Sequence, residues 1–179
     1  MRKKSRIYIL LALLSLPFMP ACNAQLAQVP DTAAVATKVL GDSISHLLFT
    51  ADSVTVYLLK GKELPDSTDI IVSPDGYVRD TLSCPMPADS LAALRTVLLS
   101  DSSSYFRDTT YSIRSPYMPV LELEFVQGEI SYSILLSLTN HTWTVSLKGH
   151  QLFNFPYRNV EATDRIALYL INRLRNSSK

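Results

Sequence analysis

The chain has 179 residues, with 17 Lys and Arg against 16 Asp and Glu, five glycines and two cysteines. No basic block or aromatic-basic interleaving survives beyond the first few residues, so the electrostatic footprint of nucleic-acid binding is absent. Two cysteines and few glycines also exclude a disulfide-stapled scaffold and a glycine-rich phosphate cradle.

Arg2, Lys3, Lys4 and Arg6 precede an apolar stretch from Ile7 to Leu16, and small residues follow around Ala21 to Ala24. That order of charge, apolar core and small residues is the layout of a secretory signal peptide. The apolar stretch is too short for a membrane span of roughly 20 residues, and Pro17 and Pro20 interrupt its far end. The tetrapeptide Met19-Pro20-Ala21-Cys22 resembles the lipobox of bacterial lipoproteins, in which the Cys becomes the lipidated N-terminus. Ala21 and Cys22 match it, while Met19 and Pro20 depart from the usual Leu and small residue. A competing site, Cys22-Asn23-Ala24, would cleave before Gln25 and give a soluble periplasmic or secreted protein. Either cleavage takes Cys22 out of disulfide use and leaves Cys84 alone. Loss of the four leader cations leaves 13 basic against 16 acidic residues, a mature net charge of −3. The expected organisation is a signal peptide over 1–21, a lipidated N-terminus and tether over 22–32, and one domain over 33–179.

Val35, Val39, Ile44, Leu47 and Leu48 predict one helix or two short ones, with Gly41 as the break. Val54 to Leu59 is β-branched and aromatic and predicts a strand, and Tyr77 to Ser83 predicts another after the turn residues Ser73-Pro74-Asp75-Gly76. Pro85 and Pro87 open a helix carrying Leu91, Leu94 and Leu98, which ends near Ser100 before the run Ser102-Ser103-Ser104. Three alternating runs follow, around Leu121–Phe125, Ile130–Leu138 and Thr142–Leu147, and predict an antiparallel meander with one apolar and one polar face. Ile166, Leu170 and Leu174, with Ala162 and Ile171 beside them, predict the inner stripe of a C-terminal helix. The order α-β-β-α-β-β-β-α points to a two-layer α+β domain, with helices on one face of a sheet of about five strands.

Few side chains offer chemistry. His141 and His150 flank the Thr142–Leu147 strand, roughly 25 to 30 Å apart along a straight strand, and cannot share a metal. His46 sits among apolar residues, where a histidine is usually structural. Cys84 lies between a strand and Pro85 with no nucleophile signature around it, and reads as a small buried hydrophobe. No catalytic residue, metal ligand or cofactor site is expected. Glu122 and Glu124 share one strand face about 7 Å apart, as two working carboxylates would, but the same pattern describes a solvated sheet face. Aromatics beside prolines in Tyr117-Met118-Pro119 and in Phe153-Asn154-Phe155-Pro156-Tyr157 read as loop residues that line a groove or plug a core.

Seven triplets of Asp, then Ser or Thr, then an aliphatic residue or Thr occur, at Asp31, Asp42, Asp52, Asp66, Asp80, Asp89 and Asp108, against about one expected at this composition. The triplet resembles the acceptor motif of O-glycosylation in the envelopes of certain Gram-negative gut bacteria, and Thr32 and Ser67, both in expected loops, are the candidate acceptors. Turn and cap preferences of Asp and Ser compete with that account. The leader and the small single domain resemble the small envelope lipoproteins of Gram-negative bacteria. The resemblance implies a membrane-tethered, periplasm-facing protein in the cell envelope and assigns no catalytic residue. The expected role is a non-enzymatic binding or assembly module, with an envelope protein or glycan as partner. The alternatives are a small hydrolase or thiol enzyme using Cys84 or His46, and a structural envelope component. The outward face of the meander, centred on Ser133, Leu135 and Thr144, is expected to lie open, either as an ordinary solvated face or as the candidate interaction face.

Overall fold

The computed structural model describes residues 31–62, 76–106, 117–147 and 150–177. The leader, Cys22, the tether up to Pro30, Ser67, Thr109 and the expected turn at Ser73 to Asp75 lie outside these residues. The class is α+β: the described residues form four helices and one antiparallel sheet, in the strand order β2-β1-β3-β4-β5-β6.

The chain enters through a 3-10 turn, Asp31–Ala33, into α1 (Ala34–Leu40) and α2 (Asp42–Thr50). Gly41 divides the two helices because the junction needs φ of +89°, which costs an L side chain and not glycine. Thr37 Oγ1 and Ser45 Oγ, 2.8 Å apart, pin the helices across that break. β1 (Ser53–Lys62) and β2 (Tyr77–Pro85) pair antiparallel, with two register shifts along β1. α3 (Ala88–Leu94) starts after Pro87 and runs into a π-helical turn, Arg95–Leu99, where Ser100 N–H donates to Arg95 O at 2.8 Å. The wider turn lets Arg95 reach α2, and its Nε donates to Leu48 O at 3.0 Å. A carbonyl of the last turn of α2, which has no intrahelical donor, is thereby satisfied.

The serine run is structural. Asp101 accepts from Ser103 N–H at 2.9 Å and from Ser103 Oγ at 2.8 Å, and so starts the 3-10 turn Ser102–Tyr105. That turn delivers Tyr105 into the core against Trp143 and Phe155, with ring centroids 5.4 and 5.3 Å away. Its Ser104 carbonyl accepts from the buried indole Nε1 of Trp143 at 2.9 Å.

β3 (Leu121–Gln127), β4 (Ile130–Ser137), β5 (Thr142–Leu147) and β6 (His150–Pro156) form the meander, and β3 also pairs with β1. The sheet therefore has six strands where about five were expected. Phe153 to Pro156 is an edge strand and not a loop, because β5 pairs with it antiparallel from Thr142↔Pro156 to Leu147↔His150, with one register shift between Val145 and Ser146. Pro156, at the end of the outermost strand, is where a sheet tolerates proline. α4 (Val160–Asn176) closes the fold. Its buried stripe is Thr163, Ala167, Leu170, Ile171 and Leu174, rotated slightly from the expected one so that Ile166 is only half-buried. Val56, Leu123, Ile134, Val145 and Trp143 point from one sheet face into a single core with the buried residues of all four helices. Among the described residues, no helix is long and apolar enough to cross a membrane.

Candidate functional site

The opposite face of the sheet carries the polar chemistry. Register alignment makes one row across it of Tyr57, Glu122, Leu135, Thr144 and Asn154, and a second of Thr55, Glu124, Ser133 and Ser146. The face was expected to be open. Instead Ser133 is 3%, Leu135 0% and Thr144 1% exposed, and Glu122 is wholly buried. Part of the cover is Tyr117, just before β3, whose hydroxyl donates to Leu135 O at 3.2 Å and whose ring meets Tyr77 edge-on at 6.2 Å. Leu59, Tyr77 and Leu135 thus form a second, small apolar cluster on this face. As a docking surface, then, Ser133, Leu135 and Thr144 are not accessible, and the part-exposed residues Thr55, Glu124, Val126 and Ser131 form the rim around them.

Burial of a carboxylate demands a partner, and Arg79 from β2 supplies it. Its Nε and Nη2 donate to the two oxygens of Glu122 at 2.8 and 2.7 Å, a bidentate fork, and Ser133 Oγ donates to Glu122 Oε1 at 2.8 Å. Arg79 Nη2 also reaches Glu124 Oε1 at 3.4 Å, and the Tyr57 hydroxyl donates to Glu124 Oε2 at 3.1 Å. The guanidinium carbon lies 3.9 Å from the centre of the Tyr57 ring. Burial alone would pull the Arg79 guanidinium down, but the hydrogen bonds and charge of Glu122, with Glu124 behind it, hold it well above its ordinary value. The Tyr57 hydroxyl is pushed up, first by burial and then by the charge of Glu124. The two glutamates are therefore neither a solvated face nor a free acid-base pair. Further along the same face, Ser137 Oγ, Thr144 Oγ1 and Asn154 Oδ1 are buried without a hydrogen-bond partner.

A second cluster ties α4 to one end of the sheet. The Tyr157 hydroxyl donates to Asp164 Oδ1 at 2.6 Å, and His141 Nδ1 lies 3.6 Å from Asp164 Oδ2. His141 occupies the β4–β5 turn with φ of +50°, and its carbonyl accepts from Tyr157 N–H at 2.9 Å. Burial, followed by the hydrogen bond to Asp164, raises the Tyr157 hydroxyl far above its ordinary value. His150 begins β6 opposite Leu147, six residues along β5 from His141, so the hairpin brings the two closer than the 25 to 30 Å expected of a straight strand, to roughly 20 Å.

The remaining candidates are scattered. His46 is half-buried on α2, its Nδ1 3.1 Å from Thr50 Oγ1 one turn on. Cys84 is buried at the end of β2, on the helical side with Val56, and neighbours Arg173 of α4. Among the described residues, no group of three or more His, Cys, Asp or Glu could hold a metal ion. Thr32 is exposed in the first 3-10 turn, and Ser43, Ser53 and Thr81 of the other triplets are exposed too. No side-chain cap bond forms at the start of α2 or of α3, so capping does not account for the triplets at Asp42 and Asp89. Arg79, Tyr57 and Asp164 were missed by the sequence reading. A lone arginine inside one strand and two glutamates inside another were the available signal for the first. Comparison with family models, with curated proteins and with solved structures finds no match, so function has to be argued from these residues alone.

Proposed function

We propose that the chain is a membrane-tethered lipoprotein of the periplasm whose folded domain is a non-enzymatic binding or assembly module. The observation that carries the tether is Ala21-Cys22 placed directly after a basic segment and the short apolar stretch Ile7–Leu16. The binding role draws support from how the domain uses its reactive groups. Arg79 and both glutamates satisfy one another, Asp164 holds Tyr157, and Asp101 holds its own turn. Groups engaged in this way brace a fold and are poorly placed to exchange protons with a substrate. An envelope protein or glycan would meet the domain at the rim of the polar face, where Thr55, Glu124 and Ser131 are partly exposed. The triplet motif supports glycan attachment at Thr32, and Ser67 is the second acceptor.

Cys22→Ser is the test. The wild-type chain should fractionate with membranes and the variant should be released to the soluble envelope fraction. Intact mass of the membrane-extracted protein reads the acyl chains on Cys22 and any glycan on Thr32 or Ser67. Wild type and variant both found in the soluble fraction would remove the anchor.

A further inference from the structure

We propose that the outer face of α4 rests on anionic phospholipid headgroups and lays the helical layer of the domain against the bilayer; this rests on the lipid-anchor reading. Leu168 and Tyr169 are adjacent on that face and remain 51% and 48% exposed, although every other large apolar residue of α4 is buried or half-buried. Arg165 and Arg173 stand one turn before and one turn after Tyr169, so a single stripe carries cation, aromatic, cation. Arg173 lies beside the Tyr169 hydroxyl at the edge of this face, where it also neighbours Cys84 of β2, while Arg165 is largely exposed and pairs with Glu161 at 2.5 Å. Tyrosine with its ring in the interface and its hydroxyl among headgroups, flanked by arginines, is the composition of a helix that lies on a membrane rather than crossing it.

The tether can bring this surface to the bilayer. The 3-10 turn where the described chain begins leads into α1, and α1 and α4 pack on the same side of the sheet. Nine Cα-to-Cα steps lead from Cys22 to Asp31, a reach of at most about 32 Å for an extended chain. α4 has 17 residues and is about 25 Å long, so a domain held on that leash keeps the helix within reach of the lipid. One leucine and one tyrosine give little binding alone, and the contact depends on the tether to hold its local concentration high. Each arginine near an anionic surface multiplies occupancy roughly fivefold, and salt weakens the effect.

The experiment uses the lipid-anchored chain reconstituted into vesicles of phosphatidylglycerol and phosphatidylethanolamine, or of phosphatidylcholine alone. Flotation reads the anchor, and hydroxyl-radical labelling of Tyr169 reads the contact. Met118, exposed and far from α4 in sequence, serves as the internal reference. Tyr169 labelling relative to Met118 should fall by roughly fivefold or more on the anionic vesicles compared with phosphatidylcholine, since the two arginines act together, and the difference should vanish in Arg165→Gln/Arg173→Gln and in 0.5 M salt. A chain that floats with both lipids yet labels equally at Tyr169 overturns the lipid contact and leaves the anchor standing. A chain that does not float overturns both. If the double variant floats and keeps the full protection, the arginines are not the contact and the proposal fails.

Discussion

Glu122 shows how one residue can invert the meaning of a pattern. Leu-Glu-Leu-Glu-Phe alternates as a half-exposed strand does, and alternation alone assigns the glutamates to solvent. The structure instead buries Glu122 and makes Arg79 its partner across the intervening strand β1, a pairing written in no local window of sequence. Neither charge is favourable inside the protein by itself, since desolvating an ion costs several kcal/mol and only a fork with further hydrogen bonds offsets it. Removing one partner should therefore cost more than removing both. Glu122→Leu is expected to lower unfolding free energy by about 3 to 5 kcal/mol, and Arg79→Met/Glu122→Leu to recover a substantial part of that loss. Urea titration of the two single variants and the double variant would decide it, and additive losses would mean that the pair is not coupled. Ser133 and Thr144 are casualties of the same misreading. Short hydroxyl side chains look solvated in sequence, but here they leave room for the fork beside them and for Tyr117 to cover Leu135.

At the scale of elements, periodicity located what it could measure. The α1/α2 break at Gly41, the first four strands of the sheet's sequence order, the β5 strand and α4 all follow from apolar spacing and β-branched composition. β6 did not, because Asn154 and Pro156 signal turns, whereas its strand character comes from pairing with β5 and from burying Phe155. The 3-10 turn at Ser102–Tyr105 also stayed invisible, since its function is to deliver a ring and a carbonyl to Trp143, some forty residues away. α4 is fastened by a similar long-range contact, the Tyr157 hydroxyl held between burial and the Asp164 carboxylate. Its ionisation is opposed in the folded state and free in the unfolded chain, where tyrosine titrates near pH 10. With the folded value raised, the contribution to stability is complete below about pH 10 and is lost as pH rises toward the folded value. Tyr105, raised by burial, adds to the same alkaline loss. Stability should thus be level between pH 7 and 9 and fall from pH 10 upward. Tyr157→Phe should begin about 1 kcal/mol less stable at pH 7 and lose less on the way to pH 11. Denaturant midpoints across that range test it, and an equally steep alkaline loss in the variant would show that this hydroxyl is not responsible.

For the whole molecule, the sequence supports a two-layer α+β class but not the order of its strands. β1 lies between β2 and β3, so the strand after α3 returns past its predecessor to pair with the first, and nothing local records that choice. The consequence is a sheet covered on one face and partly covered on the other. A large core binds one face to the four helices, and the small cluster of Leu59, Tyr77 and Leu135 lies beside the buried ion pair on the other. Every element on the helical side contributes to that one core, and β3, whose Leu123 and Phe125 enter it, also presents Glu122 to the opposite face. Losing either side would expose β3, so the two should not melt separately. Trp143 is the only tryptophan, and its indole joins the helical-side turn to the sheet through Ser104. Its fluorescence therefore reports the large core, while far-UV circular dichroism reports the whole backbone. Urea unfolding should give the same midpoint by both probes, with a slope of about 1 to 3 kcal/mol/M, as for one cooperative domain. If the tryptophan signal disappears at lower urea than the dichroism, the sheet outlasts its helical cover. The polar face with Arg79 and Glu122 would then be a separately stable unit, and the single-core account of this fold would be wrong.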